Sequence, residues 1–529
     1  MSNSRGLAEH QPVFDGAHLV ALSQQVGTAL QLVARRTDGA LGVAGERWHH
    51  GAGDGLTVTA TLPALYPEWL GDQGFTRAHQ VRFPYVAGEM ANGISGPELV
   101  TAMAEAQLLA FLGAAGLDAD RLRRDLRQLG SGLGGRRNWG VNLLHHPGDP
   151  GAEEEVADLL LAARVPLISA SAFTTLTPAV VRCAAAGLHR DRDGWIVRPV
   201  GLFAKVSRPE TAELFMSPAP AELLRLLVDR GRLTPQEASL AERVPVAEDV
   251  TVEADSGGHT DGRPLGAILP AVVALRDALA RRLRLERPVR IGAAGGLGDP
   301  AAVAAAFAMG AAYVVTGTVN QLAREAALSE RAKEMLARAQ VTDMATAPSA
   351  SHFEFGANVQ VLRRGTMFAG RAERLRRLYE RHASLEDLPG AVREELEREV
   401  FRMPLAQVWQ ATHTYWAHRD PAVLVRAETD TKYRMALVFR WYLGNASTWA
   451  VEGRPDRTAD YQLWCSPAAG AFNSWIAGSF LADPQTRTVV QIARNLLQGA
   501  AAVTRAHQLR TFGVRLPPEA FDYRPRPLI

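Results

Sequence analysis

The chain has 529 residues, of which 47% are hydrophobic and 22% charged, with a formal net charge of +2. This is the composition of a soluble globular protein long enough for two or three packed units. The even charge balance provides no field for nucleic acid or a membrane surface. Two cysteines, Cys183 and Cys465, exclude a disulfide framework and a cysteine-rich metal site, and fit a reducing, cytoplasmic setting. The opening MSNSRGLAEHQPVFDG lacks the build of a signal peptide, and the longest nearly apolar run, AAVAAAFAMGAAYVV (301–315), is too short for a membrane span.

Residues 1–80 are weakly patterned and rich in glycine, and are expected to form a small leading segment packed on the larger unit that begins at residue 81. There a regular rhythm sets in. Eight short strand-like runs alternate with segments of helical period: VRFPYVAG, LLAFLGAAG, NWGVNLLH, VPLISASA, RPVGLFAKVS, DVTVEADSG, VRIGAAGG and YVVTGT. Several of the intervening helices open on a cap followed by proline, as at Thr177–Pro178 and Asp299–Pro300. Crossover helices imply parallel pairing. Eight strands in roughly 240 residues predict a (β/α)8 barrel over 81–330, with an open doubly wound sheet as the alternative.

One connection, 208–249, is much longer than the others and leaves the C-terminal end of the fifth strand. It is either a packing excursion or a helical lid or substrate-binding subdomain on the active-site face. Beyond 330 the pattern becomes helical with no strand alternation, predicting an α-helical C-terminal domain over 331–529. Six of the ten tryptophans lie there (Trp409, Trp416, Trp441, Trp449, Trp464 and Trp475), as core or as walls of a channel.

The strand ends carry the candidate chemistry. The seventh and eighth end in GAAGGLGDP and TGTVN. Glycine lets backbone approach a ligand and free N–H groups at helix starts hold anions, so Gly295, Gly296, Gly317 and Thr318 form a candidate phosphate site, with plain tight turns as the alternative. The first strand ends in VAGEMANGIS, where Gly88 and Gly93 leave room for a flat ring. Asn142 and His145 end the third, SASA (169–172) ends the fourth, and Lys205 emerges from the fifth. Small and polar side chains around one mouth suit a planar, phosphate-bearing cofactor better than a metal, for which no ligand spacing exists. The sixth strand ends in EADSGGHTD, where a glycine pair precedes His259, either a catalytic acid on a hinge or a polar residue in a turn.

VEADSGGHTD, GAAGGLGDPAAVAAAFAMGAAYVVTGTVNQ and AGEMANGISGPELV resemble the nitronate monooxygenase and flavin-dependent enoyl-ACP reductase superfamily. NLLHHPGDPGAEEEVADLLL, SASAFTTLTPAVVR, VQVLRRGTMFAGRA and DYQLWCSPAAGAFNSW resemble, within it, the PfaD family of trans-acting enoyl reductases of polyketide and polyunsaturated fatty acid synthases. The resemblance implies an FMN-binding TIM barrel that takes hydride from NADPH and reduces an α,β-unsaturated thioester on an acyl carrier protein. It makes His259 the candidate proton donor or thioester-orienting group. It assigns Gly295, Gly296, Gly317 and Thr318 to the phosphate, Gly88, Met90 and Asn142 to the ring, and Ser169 more weakly. Glu89 stands where a small residue is expected. A nitronate monooxygenase and a non-catalytic synthase subunit are the alternatives. The arginine-rich 363–382 stretch is a solvated face, a carrier dock or a contact for the NADPH 2′-phosphate.

Overall fold

Short strands of small and β-branched residues, each followed by a helix, close on themselves. The computed structural model describes residues 11–49, 55–146, 149–258, 260–350 and 353–528. Its eight parallel barrel strands are Tyr85–Ala87, Leu109–Leu112, Trp139–Leu144, Leu167–Ser171, Gly201–Val206, Asp249–Glu253, Arg290–Ala294 and Tyr313–Thr316. They pair in chain order, and the eighth closes against the first, with Val315 opposite Val86. The closed barrel is the expected one, and the open sheet is excluded. The helix starts read from Thr177 and Asp299 are also present: each side chain accepts a hydrogen bond from the third helical N–H, of Val180 and Ala302.

Alternate residues of each strand point into the barrel. Asp249, Thr251 and Glu253 of the sixth strand therefore stand at its bottom, middle and mouth. Gly140 and Gly292 make room for rings: a Cβ there would lie 2.4 Å from Phe111 and 2.3 Å from Tyr313. The bottom is closed by the helix Gln73–His79, whose Phe75 stacks on Tyr313 with centroids 4.3 Å apart. At that end His79 Nε2 is 2.9 Å from Asp249 Oδ2, and Arg290 donates to both Asp249 oxygens at 2.6 Å.

Burial alone would raise the Asp249 carboxyl. The Arg290 charge and the His79 contacts outweigh it and hold the group below its usual range. A depressed folded pKa contributes stability that is complete above the unfolded carboxylate range and is lost as pH falls through the folded value. Asp249→Ala leaves Arg290 and His79 without their shared anion, and is expected to cost about 3 kcal/mol in urea unfolding at neutral pH. A loss below about 1 kcal/mol, the scale of a surface pair, would show that the network does not hold the barrel bottom.

The 208–249 connection folds into the helices Pro209–Met216, Ala221–Asp229 and Pro235–Ala241. They bury Phe215, Leu224, Leu227 and Leu240 against the barrel's outer helices. A capping box between Thr234 and Glu237 starts the third. The insertion is a packing excursion on the barrel's side, not a lid.

Residues 1–80 contain more structure than their pattern indicates: a three-stranded antiparallel sheet of Leu30–Arg35, Leu41–Gly45 and Leu56–Leu62. Leu30, Leu32 and Val43 of this sheet share a core with Leu509 and Val514. The long helix Val489–Thr511 also packs on the barrel helix Pro300–Ala308, and a Cβ on Gly499 would meet Pro300 at 2.5 Å.

The region beyond 330 is largely helical, as expected, with one correction. Met344–Pro348 and Asn358–Leu362 form an antiparallel hairpin, and Val361 bridges to Trp464. The strand period is hidden in the sequence because the first strand, MATAP, is short, small-residued and ends in proline.

Candidate active site at the barrel mouth

The C-terminal ends of the strands open into a cavity of about 1500 Å³. Its floor is a buried polar cluster, to which the fifth and sixth strands contribute Lys205 and Glu253 and the loop after the first strand contributes Glu89. Lys205 Nζ lies 3.2 Å from Glu89 Oε1 and 3.3 Å from Glu253 Oε1. Burial opposes the ammonium charge, but Glu253 and Glu89 outweigh it and push the lysine above its ordinary range, so it stays protonated. Ser169 donates to Glu89 Oε1 at 3.1 Å, and Asn142 Nδ2 donates to Ser171 Oγ at 2.6 Å and to the Ser169 carbonyl at 3.1 Å. Glu89, where a small side chain was expected, is thus a buried counter-charge to Lys205.

Gly88, Met90, Asn142, Lys205, Gly295, Gly296, Gly317 and Thr318 all line this one cavity. Ser169 lies one inward step below it, and Ser171 takes the wall position. His145 is turned to structure: its Nδ1 is 2.8 Å from the buried Glu153, and its ring stacks on Phe173. The neighbouring His146 faces the cavity, and burial pulls its pKa below the ordinary value.

Gly295 and Gly296 have φ of +88° and +71°, the left-handed region that L side chains rarely adopt. A Cβ on Gly295 would meet the Asp255 carbonyl at 2.8 Å, so this glycine lets the sixth and seventh strand ends interlock. Gly296 and Gly317 differ: no atom lies within 4 Å of where a Cβ would stand. Their backbone borders the open cavity.

His259 lies outside the described residues, but the chain on both sides of it is anchored. Ser256 Oγ donates to Glu253 Oε1 at 2.8 Å and accepts from the Gly258 N–H at 3.1 Å. Beyond it, Asp261 accepts from Ser207 at 2.7 Å and from both ends of the Arg208 guanidinium. Neither Gly257 nor Gly258 is left-handed. Gly257 is needed for close approach instead, since a Cβ there would meet the Cys465 N–H nitrogen at 2.8 Å.

The wall facing the barrel comes from the C-terminal helices. Trp416, Trp441 and Trp464 line the cavity, whereas Trp449 and Trp475 are buried in the core. Asn92 donates to Ser447 at 2.9 Å and Gln321 to the Trp464 carbonyl at 2.6 Å, tying the first and eighth strand ends to this wall. The arginine-rich helix Phe368–Arg381 is spent on ion pairs: Arg374 with Glu395, Arg376 with Glu373 and Glu380, and Arg377 with Glu373. Among the described residues no group of His, Cys, Asp or Glu is arranged to hold a metal, and no helix is long and apolar enough to cross a membrane.

The crystal structure of the enoyl reductase domain of MlnA, from the macrolactin cluster of Bacillus amyloliquefaciens, superposes with a TM-score of 0.80 at 34% identity, over 84% of this chain and 99% of that domain. The chain belongs to the PfaD family of enoyl reductases. Other relatives are longer proteins. A polyunsaturated fatty acid synthase subunit of Thraustochytrium sp. is 43% identical over 467 residues, 86% of this chain and 31% of its own length. The polyketide biosynthesis protein PksE of Bacillus subtilis is 37% identical, over 82% of this chain and 56% of its own length. The chain thus spans from about a third to just over half of these two relatives. Residues 382–461 match the family model of the inserted helical domain of [acyl-carrier-protein] S-malonyltransferase. In this PfaD-family chain, that segment supplies much of the cavity's outer wall, from Ala411 to Thr448.

Four cavity residues escape a reading of the motifs alone. Glu253 was discoverable, because it continues the inward period of Asp249 and Thr251. Ser171 differs from Ser169 by one such step. Arg419 and Tyr415 carry no local signal, since only the tertiary fold brings their helix to the barrel.

Proposed function

We propose that the chain is a trans-acting enoyl reductase that reduces α,β-unsaturated acyl thioesters on an acyl carrier protein during polyketide or polyunsaturated fatty acid synthesis, using FMN and NADPH. The observation that carries the reading is the likeness to the whole MlnA enoyl reductase domain, joined to a single cavity on which both glycine-rich strand ends converge. The synthase relatives and the carrier-protein transferase likeness of 382–461 support a carrier-bound substrate.

The residues present fit FMN. Gly296 and Gly317 leave open the space that side chains would fill, as a phosphate cradle requires, and Gly295 and Thr318 continue that border. Gly88, Met90 and Asn142 would flank the ring, with Ser169 holding Glu89 beneath it. Bound there, the flavin supplies the hydride chemistry, and the protein supplies orientation and charge control. Lys205 keeps its proton at Nζ and presents a fixed cation to the floor of the site. Asn142 is locked by Ser171 and the Ser169 carbonyl, so its amide is held in one orientation. His259 is the proton donor to the α-carbon of the acyl chain, or the group that orients the thioester carbonyl, in the protein's division of labour. Trp416, Trp441 and Trp464 exclude water along the path that the acyl chain takes.

The purified protein is expected to be yellow and to release stoichiometric FMN on denaturation. A colourless protein that fails to take up added FMN would remove the flavin from this reading.

A further inference from the structure

The cavity is larger than the about 300–1,000 Å³ of a site for one small ligand. Its outer end is lined by Tyr415, Trp416, Arg419, Arg426, Tyr433 and Trp441, all from the 382–461 segment. Most cations on this wall are committed. Arg440 pairs with Glu354, and Lys432 donates to the carbonyls of Tyr379 and His382. Arg426 lies over the Tyr433 ring, 3.6 Å from Asp430.

Arg419 is different. Among the described residues it makes no ion pair. Its guanidinium lies 5.3 Å from the centroid of the Tyr415 ring, at the end of the helix Leu405–Arg419. The carboxylates around this end face other duties. Asp118, Asp149 and Asp420 each cap a helix, accepting from Arg121 N at 2.7 Å, Ala152 N at 2.9 Å and Ala422 N at 3.0 Å. On the barrel side His146 lines the same cavity, near enough for the Arg419 charge to oppose its protonation. An unpaired guanidinium at the outer end of a deep aromatic cavity is suited to a phosphate, which it binds by two parallel, charge-assisted hydrogen bonds.

We propose that Arg419 binds the phosphate of the phosphopantetheine arm that brings the acyl group to the barrel mouth. The assignment rests on the carrier-bound substrate proposed for the barrel. The same corner exposes Tyr415 and Val425, 52% and 65% accessible, an apolar edge beside the cation that suits a carrier protein delivering the arm. The segment's likeness to a carrier-protein transferase module favours the arm over the 2′-phosphate of NADPH as the source of the phosphate.

The test compares crotonyl-4′-phosphopantetheine with crotonyl-pantetheine, which lacks the phosphate. The flavin-loaded wild type is expected to show a KM about tenfold lower for the phosphorylated substrate at similar kcat, the scale of one charge-assisted contact. Arg419→Ala is expected to bring the ratio close to one, and Arg419→Lys to restore part of it. An unchanged ratio in Arg419→Ala overturns the proposal. So does a rise in KM confined to NADPH and absent with NADH, which would give the phosphate to the nicotinamide. If the wild type reduces neither thioester, the enoyl reductase reading fails by itself. Calorimetry with 4′-phosphopantetheine and pantetheine then decides the arginine: tighter binding of the phosphate form that disappears in Arg419→Ala upholds the site, and equal binding overturns it.

Discussion

Replacing His259 with alanine is expected to slow enoyl thioester reduction by about 100-fold or more, the usual span for loss of a general acid, while FMN stays bound. The imidazole is the one group in the EADSGGHTD strand end with a proton to give near neutral pH. The described chain on either side of it is anchored. Glu253 and Ser256 hold the backbone at Gly258, and Ser207 and Arg208 hold Asp261. Turnover within about tenfold of wild type, a barrier change of roughly 1.4 kcal/mol, would show that His259 is not the central acid.

Gly296→Val is expected to abolish flavin binding while the barrel still folds. Valine at φ +71° is strained by about 1–3 kcal/mol, which an extensively packed barrel tolerates. Apart from its own chain neighbours, no protein atom lies within 4 Å of the new Cβ, so the side chain projects into the space that the phosphate would take. The visible flavin absorbance of the purified variant should vanish, with an unchanged far-ultraviolet dichroism spectrum. A fully yellow Gly296→Val protein would contradict the phosphate assignment.

The barrel was legible because its signal is repetitive: eight inward-facing strand periods, each with a helix, leave few other closures. That the glycine ends of the seventh and eighth strands meet at one cavity was legible for a related reason, since a closed barrel brings adjacent strand ends together. One feature was misread because its determinants are tertiary. The 208–249 helices looked like a lid from where they leave the fifth strand, but their leucines bury against the outer helices. In the glycine pair before His259, Gly257 admits the chain at Trp464 and Cys465, a contact that only the tertiary fold shows. Lys205 and Glu89 were each visible as anomalies in apolar or small-residue strand ends. That they neutralise one another, with Glu253 as third partner, depends on strand register and cannot be read from either motif. The arginine-rich helix shows the converse. Its charge was plain, but the glutamates at i−3, i−4 and i+4 spend it locally.

The central claim is that this mouth delivers hydride to an enoyl thioester on a carrier. Anaerobic NADPH oxidation with a crotonyl carrier protein tests it most directly, with the acyl product read by mass spectrometry. The expected result is NADPH consumption that requires the crotonyl group and matches formation of the butyryl carrier. NADPH oxidation that requires oxygen and ignores the thioester, with the crotonyl group left intact, would contradict it.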